Sequence, residues 1–238
     1  MNGLTIAHLY PEAMNIYGDT GNVIALSRRL QWRGLEASVD RVRVGEPYDF
    51  TTADIVVAGG GEDLSQLQVA GDLRRRAEAI REAVGSGTVF FTVCGTYQLF
   101  GHRFTTHDGE EIPGIGVFDL ETRAGSKRMI GNIVLDTRWG RLVGFENHSG
   151  RTFLAAGQEP LGKVLKGCGN NDRTSEEGAM TANAFGTYLH GSLLPKNPDF
   201  ADELILRGMR RHHGDDVQLG PLDDDLERGA AAAAAKRA

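Results

Sequence analysis

The first half of the chain alternates short apolar runs with stretches that carry apolar residues at helical spacing. Leu4 to Leu9 reads as a strand, and Tyr17-Gly18-Asp19-Thr20-Gly21 as a polar turn. From Asn22 to Arg33 the apolar positions Val23, Leu26 and Leu30 share one helical face, and Gly34 stands where a helix C-cap belongs. Ala37 to Val44 is expected to be a second strand. Ala53 to Ala58 is a third, apolar enough to be covered on both faces, and it runs into Gly59-Gly60-Gly61. Glu62-Asp63 reads most simply as a helix N-cap, and Asp72 to Val84 as a charged amphipathic helix. Thr88 to Val93 is the fourth strand. This order predicts an α/β fold with a mostly parallel central sheet flanked by helices.

The second half changes character. Gly114 to Thr122, Arg128 to Asp136, Leu142 to Glu146 and Gly162 to Leu165 read as shorter strands joined by glycine-rich turns, a partly antiparallel extension of the sheet. Gly178 to Asn183 and Ala184 to His190 read as two more strands, and Phe200 to His212 as a last helix. The expected domain covers residues 1–222. Residues 223–238 run charged, then alanine-rich, then basic, without a periodic apolar face. They are expected to be a frayed or disordered tail, with part of it open to a helical extension.

Composition narrows the function class. The 238 residues are enough for a substantial core, and 40% hydrophobic with 24% charged residues is ordinary for a globular protein. A net charge of −6 gives no electrostatic case for nucleic acid or an anionic membrane. No apolar run approaches the ~20 residues that cross a bilayer, and the N-terminus lacks the basic and small-residue features of a signal peptide. Only Cys94 and Cys168 are present, so a disulfide framework is not expected and a reducing cytoplasm fits.

The chemistry starts at Thr92-Val93-Cys94-Gly95-Thr96-Tyr97-Gln98-Leu99. A strand delivers a cysteine into a tight turn, and a helix start follows. Such a nucleophile elbow lifts the thiol out of the sheet and aims it at the N–H groups of a helix N-terminus, which favour a thiolate and a developing oxyanion. Cys168 reads as an ordinary buried or loop thiol. A cysteine nucleophile needs a base. Of seven histidines, His190 is the best placed, at the end of a strand-like run that enters Gly191-Ser192. His148, in Phe145-Glu146-Asn147-His148-Ser149-Gly150-Arg151, is second. His8 reads as a core histidine, His102 and His107 as loop residues, and His212 and His213 as solvated. Their spacing gives no zinc site, and no metal is expected. The glycines at 59–61 allow close backbone approach and could present N–H groups to an oxyanion, or could simply serve a loop with positive φ. Neither a Walker A pattern nor a dinucleotide fingerprint is present. Asp19 alone could be a turn-forming residue and Arg128 an ordinary surface arginine.

Taken in order, Gly59-Gly60-Gly61-Glu62-Asp63, Cys94-Gly95-Thr96-Tyr97-Gln98-Leu99 and Tyr188-Leu189-His190-Gly191 resemble class I (triad-type) glutamine amidotransferases. The C-G-x-Y-Q form resembles the branch that includes cobyric acid synthase. Tyr17-Gly18-Asp19-Thr20-Gly21-Asn22, the Arg128 segment and Phe145 to Thr152 resemble, within that branch, the GatD-type glutaminase subunits of lipid II isoglutaminyl synthase. The resemblance spans about residues 4 to 210. It implies that Cys94 attacks the side-chain amide of L-glutamine and that His190 moves the protons. It further implies that Gly60, Gly61 and Gly95 hold the oxyanion, and that Gln98, Asn147, His148 and Arg128 position the substrate, with Arg128 clamping its α-carboxylate. It implies a heterodimer with a Mur-ligase-like subunit of the MurT type. That partner would use ATP and Mg to amidate the D-glutamate α-carboxyl of lipid II, while this chain itself carries no cofactor. Many triad amidotransferases place a glutamate two residues after the histidine. Here that residue is Ser192, so Asp19, with Glu146 second, is the candidate third member. Three other readings stay open: an amidotransferase for another acceptor such as a corrinoid carboxylate, a non-catalytic regulatory subunit, and a cysteine peptidase of similar fold.

Overall fold

The computed structural model describes residues 3–16, 18–61 and 63–238. Tyr17 of the expected turn and Glu62 of the expected cap lie outside them. The chain runs β1 (Leu4–Leu9), α1 (Thr20–Trp32), β2 (Ala37–Val42), β3 (Ile55–Ala58), α2 (Asp63–Arg75), α3 (Ala77–Gly85), β4 (Val89–Val93) and α4 (Gly95–Leu99). Then follow β5 (Arg103–Thr105), β6 (Glu111–Pro113), β7 (Leu120–Thr137), β8 (Gly140–Leu154), β9 (Gly162–Lys166), β10 (Glu176–Glu177), β11 (Ala179–Met180), β12 (Ala184–Thr187), β13 (Leu189–His190), α5 (Pro198–His213) and α6 (Asp225–Ala235).

The first sheet has the order β11-β12-β4-β3-β1-β2. All its pairings are parallel except β11 with β12. β3 and β4 are buried at every position, which matches their unbroken apolar runs. Because the strands are parallel, β1, β3, β4 and β12 all end on the same edge, and the loops after them meet there. A second sheet carries β10-β9-β7-β5-β6, with β8 joined to β7 and β13.

Three differences from the sequence reading have physical causes. The helix expected over Asp72 to Val84 is broken at Arg76, and a full helix, α2, precedes the break. Buried Asp72 draws Arg76 to itself at 2.6 Å, and Arg76 reaches on to the Glu46 carbonyl, so the side chain ties the break to the loop after β2. The strands expected at Arg128 to Asp136 and Leu142 to Glu146 belong to one long hairpin, β7–β8. The glycine-rich turn expected before Arg128 is a register shift within that hairpin, between Ala124 and Met129. The tail carries α6, whose start is held by the Arg29–Asp224 pair at 2.6 Å and the Arg228–Asp199 pair at 2.8 Å. None of its residues is buried, and its alanines supply helix propensity rather than a core face. No described helix is long and apolar enough to cross a membrane.

Candidate active site

Cys94 follows the last residue of β4 and precedes α4, with φ at 52° and ψ at −108°. A non-glycine residue in that region is strained, and it holds only where its surroundings fix it. Here Cys94 N–H donates to the Thr187 carbonyl at 2.8 Å, and Thr96 Oγ1 donates to the Gly59 carbonyl at 2.5 Å. The elbow is thereby tied to the ends of β12 and β3.

His190 is fully buried at the end of β13, where Cys94 and Asp19 both act on its ring. Its Nδ1 lies 3.6 Å from Asp19 Oδ2. Burial favours the neutral ring, but the neighbouring Cys94 and Asp19 outweigh it and raise the pKa to about 10. The ring is therefore an imidazolium at neutral pH.

Asp19 occupies the cap position of α1 yet makes no cap bond; Asn15 Oδ1 accepts from Thr20 N–H instead, at 2.8 Å. The Asp19 carboxylate turns toward the site, where Oδ2 accepts Gly60 N–H at 2.7 Å. Gly60's N–H is thus given to Asp19. Its lack of a side chain matters separately, because a Cβ there would sit 2.7 Å from His190 Cε1 and 3.1 Å from Cys94 Cβ. Gly61 and Gly95 flank this point. A Cβ on Gly95 would meet the Gln66 amide at 2.8 Å.

A second group of the expected residues meets at Tyr188. Gln98 Nε2 donates to the Tyr188 hydroxyl at 3.0 Å, while Gln98 Oε1 accepts from Gln66 at 2.6 Å. The His148 ring stacks on Tyr188 with centroids 3.5 Å apart and planes within 3°. Burial pushes the His148 pKa down, against Glu146, whose Oε2 lies 3.9 Å from Nε2. Both Glu146 oxygens accept backbone N–H, from Cys168 at 2.7 Å and Gly169 at 3.0 Å. Of the two acids considered for the third position, Asp19 is the one beside His190. Arg128 Nε donates to Asn147 Oδ1 at 2.6 Å, and Arg128 is exposed. Among the described residues no cluster of His, Cys, Asp and Glu could hold a metal ion.

The sequence gives Tyr188, Gln66 and Ser192 no role of their own. Ser192 Oγ donates to the Gly18 carbonyl at 2.6 Å and so joins the loop after His190 to the loop before Asp19. Its place two residues after His190 was the signal. Gln66 carried none, since the helix that bears it was not foreseen.

A strained cysteine at the strand edge, a buried histidine beside a carboxylate and a glycine between them are the groups that a cysteine-nucleophile hydrolase or transferase uses. The comparisons specify the class. The family model for CobB/CobQ-like glutamine amidotransferase domains matches residues 5–198. The chain belongs to that family. It is 37% identical over 228 residues to the lipid II isoglutaminyl synthase (glutamine-hydrolyzing) subunit GatD of Staphylococcus aureus, covering 95% of this chain and 93% of that protein. It is also 37% identical to the GatD subunit of Streptococcus pneumoniae, covering 94% of this chain and 88% of that one. A solved glutamine amidotransferase shares the fold, with a TM-score of 0.58 at 14% identity, covering 85% of this chain and 98% of that chain.

Proposed function

We propose that this chain is the glutaminase subunit of a lipid II amidating enzyme. It hydrolyses L-glutamine to glutamate, and the ammonia goes to a Mur-ligase-like, MurT-type partner in a heterodimer. The partner, with ATP and Mg, amidates the α-carboxyl of D-glutamate in lipid II to D-isoglutamine. The names and near-complete overlap of the GatD relatives support the acceptor. The observation that carries the glutaminase reading is the Cys94–His190–Asp19 arrangement at one sheet edge.

The steps follow from that geometry. The Cys94 sulfur adds to the amide carbon of glutamine, and the carbonyl electrons move onto oxygen. Gly61 and Gly95 N–H groups are the donors left for that oxyanion, since Gly60 N–H is held by Asp19. His190, as imidazolium, gives its proton to the leaving nitrogen; the C–N bond breaks and ammonia departs. The neutral ring then takes a proton from water, which opens the γ-glutamyl thioester to glutamate and restores the Cys94–His190 pair. Asp19 keeps the ring oriented and offsets its positive charge. Arg128 clamps the substrate α-carboxylate, and Gln98, Asn147 and His148 shape the wall around it. The reaction belongs in the cytoplasm, where the precursor and reduced thiols are found.

The test is glutamate release from L-glutamine by the purified chain, beside Cys94→Ala, with and without the co-expressed partner. Release by the wild type that vanishes in Cys94→Ala, and that rises with the partner and lipid II, is expected. No release by the wild type in either condition overturns the glutaminase reading. Release without amidated lipid II in the complex overturns the acceptor.

A further inference from the structure

The nucleophile and the base sit on different sheets. Cys94 directly follows β4 of the first sheet, while His190 lies on β13, which pairs with β8 of the second, His190 opposite Phe145. The chain crosses between the sheets within Thr187, Tyr188 and Leu189. At the crossing, the backbone has left β4 and has not yet joined β8, so its N–H groups lose their ladder partners.

A buried carboxyl and the hydroxyl it holds take two of them up. Glu177, on β10, is fully buried. Its Oε1 accepts Tyr188 N–H at 2.6 Å, and the Thr187 hydroxyl donates to its two oxygens at 3.1 and 3.0 Å. The same hydroxyl accepts Leu189 N–H at 3.0 Å. Thr187 also lends its carbonyl to Cys94 N–H at 2.8 Å. One side chain therefore fixes the strand end that holds Cys94 and the segment that carries His190. Glu177 is itself held by its neighbour: Gly178 N–H and carbonyl both bond the Asn170 side chain, at 2.9 and 3.0 Å, and Asn170 Oδ1 also accepts from Tyr97 of the elbow helix at 3.1 Å.

We propose that Glu177 is a positioning residue: its carboxyl fixes the crossing between the sheets and so sets His190 against Cys94. An error of about 1 Å in such a pair costs on the order of 100-fold in rate, which is why a residue that touches no substrate matters to catalysis. Burial, against the bonds from Tyr188 and Thr187, raises the carboxyl pKa to about 8, so an amide stands in well for it at neutral pH.

The kinetic arm of the test rests on the glutaminase reading; a second arm does not. The full chain is compared as wild type, Glu177→Ala, Glu177→Gln and Thr187→Val. Glutamate release gives kcat and KM, and the rate of Cys94 alkylation by iodoacetamide, followed by mass spectrometry, reports how His190 is set against the Cys94 sulfur. Glu177→Ala and Thr187→Val are expected to lower kcat about 10- to 100-fold with KM within about twofold, and to slow alkylation. Glu177→Gln is expected to restore both to within about threefold of wild type, since it keeps an acceptor for Tyr188 N–H. A merely structural role would lower the melting temperature and leave kcat per folded molecule and alkylation unchanged; that result overturns the proposal. Equal loss in Glu177→Gln and Glu177→Ala also overturns it. If Glu177→Ala does not fold, Thr187→Val decides alone. If the wild type releases no glutamate, the function reading fails and the alkylation arm still tests the positioning.

Discussion

An aspartate at the start of a helix ordinarily bonds the N–H groups of its own first turn. Asp19 gives that up and turns its carboxylate to Gly60 N–H and His190, while Asn15 caps the helix in its place. Local rules broken in this way mark functional positions, and Cys94, strained at φ 52°, is another. Asp19→Asn is expected to lower kcat about 100-fold or more, because the ring loses the charge that orients it. Asp19 also helps to raise the His190 pKa toward about 10, so in Asp19→Asn the alkaline limb of the kcat profile is expected at lower pH. An unchanged limb would separate Asp19 from the base. Gly60→Ala places a methyl 2.7 Å from His190 Cε1, and a loss of about 100-fold in kcat with a near-native melting temperature is expected. At this scale Cys94, His190 and Asp19 were legible in sequence, because an elbow, a histidine at a strand end and an acid after β1 leave local marks. Glu177 was not: Glu176-Glu177-Gly178 looks like an exposed acidic turn, and its burial comes from a distant strand crossing.

The elements of the first sheet were legible because β1, β3 and β4 are short, apolar and bounded by turns. The hairpin β7–β8 was not, because glycines interrupt both strands and because pairing, rather than local pattern, carries the chain across the register shift at 124–129. Two predictions belong to elements. Arg29 of α1 is buried at 3% exposure and bridges Asp202 of α5 and Asp224 before α6, at 2.7 and 2.6 Å. Arg29→Ala removes the bidentate partner of Asp224 and leaves Asp202 to Arg33 alone, and is expected to cost about 3 kcal/mol in chemical denaturation; a cost within experimental error would remove the network from the account. His8, buried in β1, has its pKa lowered from 6.5 to about 4, first by burial and then by Arg41. A depressed folded value means that its contribution is present above 6.5 and is lost as pH falls through about 4. Denaturation midpoints are expected to fall across that window, and His8→Leu is expected to flatten the fall.

For the molecule as a whole, the first sheet gathers the ends of its five parallel strands at one edge, and the second sheet supplies the base and the residues around Tyr188. The sequence reading reached the class of fold and the site's edge, since alternation of strands and helices dictates both. It did not reach the division of the catalytic pair between two sheets, because Ala184 to His190 reads as one strand although Tyr188 separates β12 from β13. The central claim is that Cys94 forms a covalent γ-glutamyl intermediate under control of His190. It is tested most directly by mixing the protein with isotopically labelled L-glutamine, quenching rapidly in acid and mapping the label by peptide mass. The account expects label on the Cys94 peptide, as a thioester labile to hydroxylamine, and none in Cys94→Ala. Undiminished glutamate release by Cys94→Ala, or label on another residue, would contradict it.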